Sequence, residues 1–483
     1  MIVLYIVIAL LAALIAVLAV NTRRKKPQAP KMQSLEPIAL DADKLAQNLS
    51  GMIRLKTVTS LTMDGFDADA FLGMHAYLQQ TYPLLHKTLE REIVNTYSLL
   101  FKWKGSGSEQ KPFLMMAHMD VVPADERTAD KWVHGAFSGD IADGYVWGRG
   151  AMDMKGQLAA IFESVEHLIA QGFVPKRDIY LAIGHDEESM GTLGAQKIVD
   201  RLIETGVRLD FVIDEGGVMM DGKMMNVGAM VAAIGICEKG YADIRLIAES
   251  AGGHASRPPK QTAVGALAKA IVALETTHMK PTLNKPLKEM LTVLGSYMTF
   301  PLNVIACNLF LTKPLLLMGL KASATGAAMV RTTAAPTMLQ GSNAPNALAE
   351  RAEAVVNFRI SPDNTVDGLL KHIRKTVGKG IRLEIIQAYE PSEVSRTDSD
   401  AYRIITQTIQ SMFPGYVVSP YLMVGATDSR RFAAVADGVY RFQPFRSMAQ
   451  DIDTLHAANE RLHIESLREA VAFFIRLVKK ADE

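Results

Sequence analysis

Cysteine is almost missing from this chain: two residues in 483, Cys237 and Cys307. They cannot build a disulfide framework, and neither lies in a C-x-x-C pair, so any metal has to be held by histidine and carboxylates. An excess of one charge is missing too, with 52 Lys and Arg against 51 Asp and Glu. No overall field draws the protein to nucleic acid, and no basic patch is interleaved with aromatics, so nucleic acid is not an expected partner. Internal repeats and low-complexity tracts are absent, which sets aside solenoids and arrays. With 49% hydrophobic and 21% charged residues, neither wholesale disorder nor a multi-span membrane bundle fits. At about 150 residues per domain the chain should form two or three compact units.

What is present begins with one long apolar run. Ile2 to Val20 holds no charge and no polar group other than Tyr5, equivalent to about 28 Å of helix, close to a bilayer core. A cleavable signal would place a basic region before a shorter apolar stretch, whereas only Met1 stands here. A single-pass anchor over residues 1–22 is expected, in contact with the lipid bilayer through residues 2–20. Arg23, Arg24, Lys25 and Lys26 follow directly, and the positive-inside rule puts them, with the main body, on the cytoplasmic side. Lys26 to Pro37 is polar and carries three prolines, so residues 23–40 read as a tether.

Three short apolar runs, Phe113–Ala117, Ile179–Ile183 and Phe211–Ile213, have the pattern of strands buried on both faces. Helical patterns lie between them, Gln157–Ala170 closed by Gly172 and Ala195–Glu204 closed by Gly206. The fold class is therefore α/β, a mixed and mostly parallel sheet flanked by helices. Polar chemistry follows each run: His118-Met119-Asp120, Asp186-Glu187-Glu188 and Asp214-Glu215. The carboxyl ends of strands in an open α/β sheet line one crevice, so these groups should converge. One histidine and several carboxylates suit Zn²⁺ or a similar divalent ion. That many acids repel one another unless cations neutralise them, and two ions sharing a carboxylate would do so. The loop Gly148–Gly156 supplies the candidate bridge, Asp153.

Singly, each motif is an ordinary turn or cap; their order is not ordinary. Ala117-His118-Met119-Asp120-Val121-Val122-Pro123, Gly150-Ala151-Met152-Asp153-Met154-Lys155-Gly156, Asp186-Glu187-Glu188-Ser189, Asp214-Glu215-Gly216-Gly217 and His456-Ala457-Ala458-Asn459-Glu460 together resemble the di-zinc metallopeptidase family. That family contains glutamate carboxypeptidase, aminoacylase, carnosinase and yeast vacuolar carboxypeptidase S. The resemblance covers nearly all of the chain after the tether and looks strongest to the branch with carboxypeptidase S and the N-acyl-amino-acid synthase/hydrolase. It implies the zinc exopeptidase fold and two divalent cations, zinc first, with cobalt or manganese as alternatives. It further implies His118 and Asp214 as ligands of one ion, Glu188 and His456 of the other, and Asp153 between them. Glu215 is the alternative to Asp214. Asp120, two residues from His118, would hold its tautomer, and Glu187 would be the general base.

The long interval between Asp214 and His456 leaves room for an inserted unit. Alternation marks strands at Tyr241–Ala248 and Ala349–Ile360, and helices are expected at Ala263–Leu274 and Val366–Val377. The resemblance identifies residues 229–375 as a lid and dimerisation domain between the catalytic segments 41–228 and 376–483. It implies a homodimer in which His254 reaches the site of the partner subunit to stabilise an oxyanion. Asn346 and Arg359 resemble residues that hold the substrate's carbonyl and free carboxylate. The sequence departs from the family pattern here, with Asn346-Ala347-Leu348-Ala349 where relatives often have proline three residues after the asparagine. The expected activity is hydrolysis of the amide bond of a small peptide or an N-acyl amino acid. A non-catalytic binding protein on the same fold is the rival, and loss of Glu187 or of a ligand would mark it; all are present.

Overall fold

The apolar runs become strands because an unbroken series of branched and aromatic side chains can be buried on both faces of a sheet at once. In the computed structural model, which describes residues 1–25, 36–60, 65–107, 109–446 and 449–483, they are Phe113–His118, Ile179–Gly184 and Leu209–Asp214. With Ala436–Arg441 they form the parallel centre of a mixed sheet. Its order is Glu90–Val94, Ser98–Trp103, Ile179–Gly184, Phe113–His118, Leu209–Asp214, Ala436–Arg441, Met230–Glu238 and Tyr416–Met423, and Met219–Asp221 pairs on Met230–Glu238. Antiparallel neighbours flank the parallel centre.

Helix Ala195–Glu204 lays Ala195, Ile198, Val199 and Leu202 on one face of this sheet, against Leu114, Met116, Tyr180, Ala182 and Val212. Burying side chains of that size stabilises by about 1.5–3 kcal/mol each. Helix Lys155–Ala170 is buried along most of its length and packs on Ile464–Ala481. Gly172 and Gly206 follow their helices at φ 74° and 69°, the left-handed conformation that ends a helix.

Two compact units are distinguished. One comprises Pro27–Ile236, Ser395–Pro420 and Thr427–Glu483 and contains most of this sheet; the other comprises Met1–Lys26, Cys237–Val394 and Tyr421–Ala426. The expected tether falls largely on residues 26–35, which lie outside the described residues. In the second unit an antiparallel sheet runs Thr333–Gln340, Arg351–Ile360, Gly240–Glu249, Arg382–Tyr389. Its alternating inner residues, among them Ile244, Leu246, Val356 and Phe358, close on Leu267 and Leu274 of helix Ala263–Thr276 and on Leu369 and Ile373 of helix Val366–Val377. Cys237 and Cys307 are both buried, and neither is in a disulfide.

The same unit holds helix Ile2–Arg24, 23 residues with a peak mean hydropathy of 3.2 and no buried residue. By length and composition it is a candidate membrane span.

Candidate functional site

Strand direction carries the chemistry to one place. His118 is the last residue of its strand, Glu187 and Glu188 stand just beyond the end of Ile179–Gly184, and Glu215 follows the last residue of Leu209–Asp214. Only glycine lets the chain leave this point, since a Cβ at Gly217 would meet the carbonyl oxygens of Arg441 and Ala233 at 2.1 and 2.4 Å.

Asp153 sits between two imidazoles. Its Oδ1 is 3.2 Å from His118 Nε2 and its Oδ2 is 3.0 Å from His456 Nε2. His118 Nε2 also faces Glu215 Oε1 at 3.4 Å, and His456 Nε2 faces Glu188 Oε1 at 3.3 Å. The other ring nitrogen of His118 lies 3.0 Å from the backbone oxygen of Asp120 and 3.4 Å from its carboxylate. Asp120 is fully buried and does more than orient the ring: its carboxylate accepts Thr59 Oγ1 at 2.6 Å and the backbone N–H groups of Glu187 and Glu188 at 3.2 and 3.1 Å. One carboxylate thus fixes both the histidine and the loop that carries the two glutamates. His456 takes a left-handed backbone, φ 58°, in a loop held by Asn459, which accepts Val133 N–H at 2.7 Å and donates to Lys131 O at 2.9 Å.

The electrostatics follow from burying so many acids together. Burial would lower the pKa of His118, but the carboxylates of Asp120, Asp153 and Glu215 outweigh it and hold it well above the ordinary value. Hydrogen bonds to Asp153 and Glu188 push His456 up to about 10. Burial drives Glu187 and Glu215 well above the usual carboxylate range, helped by the neighbouring acids. Asp153 moves the other way; burial opposes the shift, and the two histidines overcome it.

The donor set fits divalent cations. His118, Asp153 and Glu188 offer ligand atoms within 4.8 Å of one another, and so do His118, Glu187 and Glu215. Glu188 Oε1 is buried with the His456 ring 3.3 Å away, and the buried negative charge of this cluster is one that a positive ion relieves. Imidazole nitrogens with carboxylate oxygens are a borderline-hard set of the kind zinc takes.

Asp214 is placed differently from Glu215. Its Oδ2 accepts the backbone N–H of Ser429 at 3.1 Å, and it is not a member of either cluster. His254 and Asn346 lie in the other unit. His254 pairs with Ala347 across a two-residue ladder, and Ala255 N–H donates to Asn346 O at 3.0 Å. His254 is exposed, and its Nδ1 accepts from Ser256 N–H at 3.1 Å, which puts the ring proton on Nε2. Arg359, on Arg351–Ile360, stacks over the Tyr241 ring at 4.9 Å.

Sequence reasoning missed Glu460. It is fully buried; Oε1 accepts the N–H groups of Met152 and Asp153 at 3.0 and 3.2 Å, and Oε2 accepts Arg149 Nη1 at 2.6 Å. Its place in the His456-Ala457-Ala458-Asn459-Glu460 string was the only signal.

The family model described as Peptidase family M20/M25/M40 matches residues 114–480. A probable carboxypeptidase S-like 2 of Dictyostelium discoideum is 35% identical, over 98% of this chain and 93% of its own length. The N-fatty-acyl-amino acid synthase/hydrolase PM20D1 of Xenopus tropicalis is 36% identical, with the same coverage. Among solved structures, an M20 family metallo-carboxypeptidase, Sso-CP2 of Sulfolobus solfataricus, superposes with a TM-score of 0.69 at 18% identity, covering 92% of this chain and 100% of that one.

Proposed function

Because the chain belongs to peptidase family M20/M25/M40, a family of metallopeptidases and related hydrolases, we propose that it hydrolyses the amide bond of small peptides or N-acyl amino acids bearing a free carboxylate. The observation that carries this reading is the Asp153 carboxylate spanning His118 and His456, with Glu187 clustered against His118 and Glu215. His118, Glu215, Asp153, Glu188 and His456 would hold two divalent cations, zinc first. Glu215 is taken in this set in place of Asp214 on the strength of its Oε1 lying 3.4 Å from His118 Nε2.

When bound, the cation pair supplies an acidified water and positive charge for the scissile carbonyl. Glu187 removes the proton from that water and returns it to the leaving nitrogen as the C–N bond breaks. Asp120 keeps the His118 ring and the Glu187–Glu188 loop in place through the contacts above. His254 of the partner subunit, its proton on Nε2, donates to the developing oxyanion in a homodimer, with the four-stranded unit as lid and dimerisation domain. Asn346 and Arg359 engage the carbonyl and carboxylate ends of the substrate. Helix Ile2–Arg24 anchors the enzyme in a bilayer, with Arg23, Arg24 and Lys25 on the cytoplasmic side.

The test is a hydrolysis screen of dipeptides and N-acyl amino acids of increasing chain length, on chelator-stripped protein reloaded with Zn²⁺, Co²⁺ or Mn²⁺. Turnover that depends on the metal and on a free substrate carboxylate is expected; metal-independent turnover, or none with any amide, overturns the reading.

A further inference from the structure

Between helix Ala263–Thr276 and strand Thr333–Gln340 the chain makes a helical excursion, Lys285–Leu294, Leu302–Cys307, Leu309–Lys321 and Ala324–Val330. The third of these, Leu-Phe-Leu-Thr-Lys-Pro-Leu-Leu-Leu-Met-Gly-Leu-Lys, has apolar residues all around its axis and no acid. A helix of that composition belongs inside a core or in lipid. This one is not in a core, because Leu316 is its only buried residue. Phe310 is 71% exposed and Met318 62%, Leu311 and Leu315 are half exposed, and Phe300, on the loop before Leu302–Cys307, is 81% exposed. Leu311, Leu315 and Met318 follow helical spacing and so share one face.

The start of this helix is clamped to the end of Ile2–Arg24. Asn308 Nδ2 donates to Leu18 O at 3.3 Å and to Thr22 Oγ1 at 3.2 Å, while Asn21 Nδ2 donates to Asn308 Oδ1 at 3.2 Å. Lys25 Nζ donates to Cys307 O at 2.7 Å. These contacts fall where the apolar run gives way to Arg23, Arg24 and Lys25. In a bilayer that is the level of the headgroups, where a helix lying in the membrane plane buries its apolar face. Lys313 and Lys321, the only charges on the helix, have stems long enough to lie along apolar surface while their ammonium groups reach lipid phosphates.

We propose that Leu309–Lys321, together with Phe300, is a second bilayer contact, seated at the boundary of headgroups and acyl chains beside the N-terminal helix. This rests on the reading of Ile2–Val20 as a span and is independent of what the enzyme cleaves. Two membrane contacts on one unit fix its tilt as well as its distance from the surface.

The experiment uses the full chain reconstituted in vesicles of phosphatidylcholine and phosphatidylglycerol. An environment-sensitive fluorophore is attached at Phe310→Cys, at Met318→Cys, at Leu10→Cys on the N-terminal helix, or at Lys371→Cys, an exposed position on helix Val366–Val377; melting curves verify folding of each labelled chain. The expected result is strong quenching of labels 10, 310 and 318 by lipids carrying an acyl-chain nitroxide and several-fold weaker quenching by aqueous iodide than at 371. Label 10 in lipid with 310 and 318 open to iodide overturns the second contact and leaves the anchor standing. Labels 310 and 318 shielded from both quenchers mean that another copy of the chain covers the face, and overturn it equally. Label 10 in water removes the anchor and the proposal with it.

Discussion

The carboxylate of Glu460 accepts the backbone N–H of Asp153 at 3.2 Å across 307 residues of sequence, while its other oxygen holds buried Arg149. The bridging carboxylate is therefore positioned by an acid that touches neither imidazole.

Glu460→Ala should leave Arg149 buried without its counter-charge and the Asp153 loop without its acceptor. Removing one partner of a buried ion pair costs about 3–5 kcal/mol. Denaturant titration should record a loss of that size, and elemental analysis should find less metal per chain. Wild-type stability would show that the loop is held by other contacts.

Glu187→Gln removes the carboxylate proposed as the proton shuttle and keeps the side chain's size. Turnover should fall by about 10²–10⁴-fold, the usual worth of a positioned general base, with metal content unchanged. A variant that turns over normally assigns the proton transfer to another group.

The choice between neighbouring acids is decided by stoichiometry. Glu215→Ala should lower bound metal from two ions toward one, whereas Asp214→Asn, whose carboxylate meets Ser429 N–H, should keep both. The opposite pattern would return Asp214 to the ligand set.

The metal-free protein should lose stability as pH rises. His118 and His456 are raised in the folded state, so their contribution is complete below the ordinary histidine value and is lost as pH climbs through their folded values, about 10 for His456. Glu187 and Glu215 are raised as well, so ionising them at higher pH costs stability with the same sign. Asp153 is lowered and opposes this only on the acid side, where its contribution disappears as pH falls below the ordinary carboxylate value. Melting curves of chelated protein should peak in mildly acidic buffer and decline toward alkaline pH, and added Zn²⁺ should stabilise more at high pH, where ligands are free of protons. A chelated protein that gains stability from pH 6 to pH 9 would contradict this balance.

Much of this was legible in the sequence because continuous apolar runs have one reading: Phe113–His118 and Ile179–Gly184 differ from the expected strands by a residue at one end. Helix Val366–Val377 and strand Gly240–Glu249 follow from period alone, since each has one buried face. The approach of Glu215 to His118 was harder to read, because no periodicity records how a chain leaves the end of a strand. Glu460 was hidden for a different reason: a buried acid and a solvated one are the same letter, and only long-range packing separates them. The helix Leu309–Lys321 escaped attention because an apolar run of that length reads as core until its exposure is known.

The long reach from Glu460 to Asp153 also sets an order of events during synthesis. The strands up to Leu209–Asp214 are made well before residue 460, so the backbone N–H of Asp153 meets its acceptor only late in synthesis. A premature stop between these points would yield a chain carrying its early acids without their late partners, His456 and Glu460.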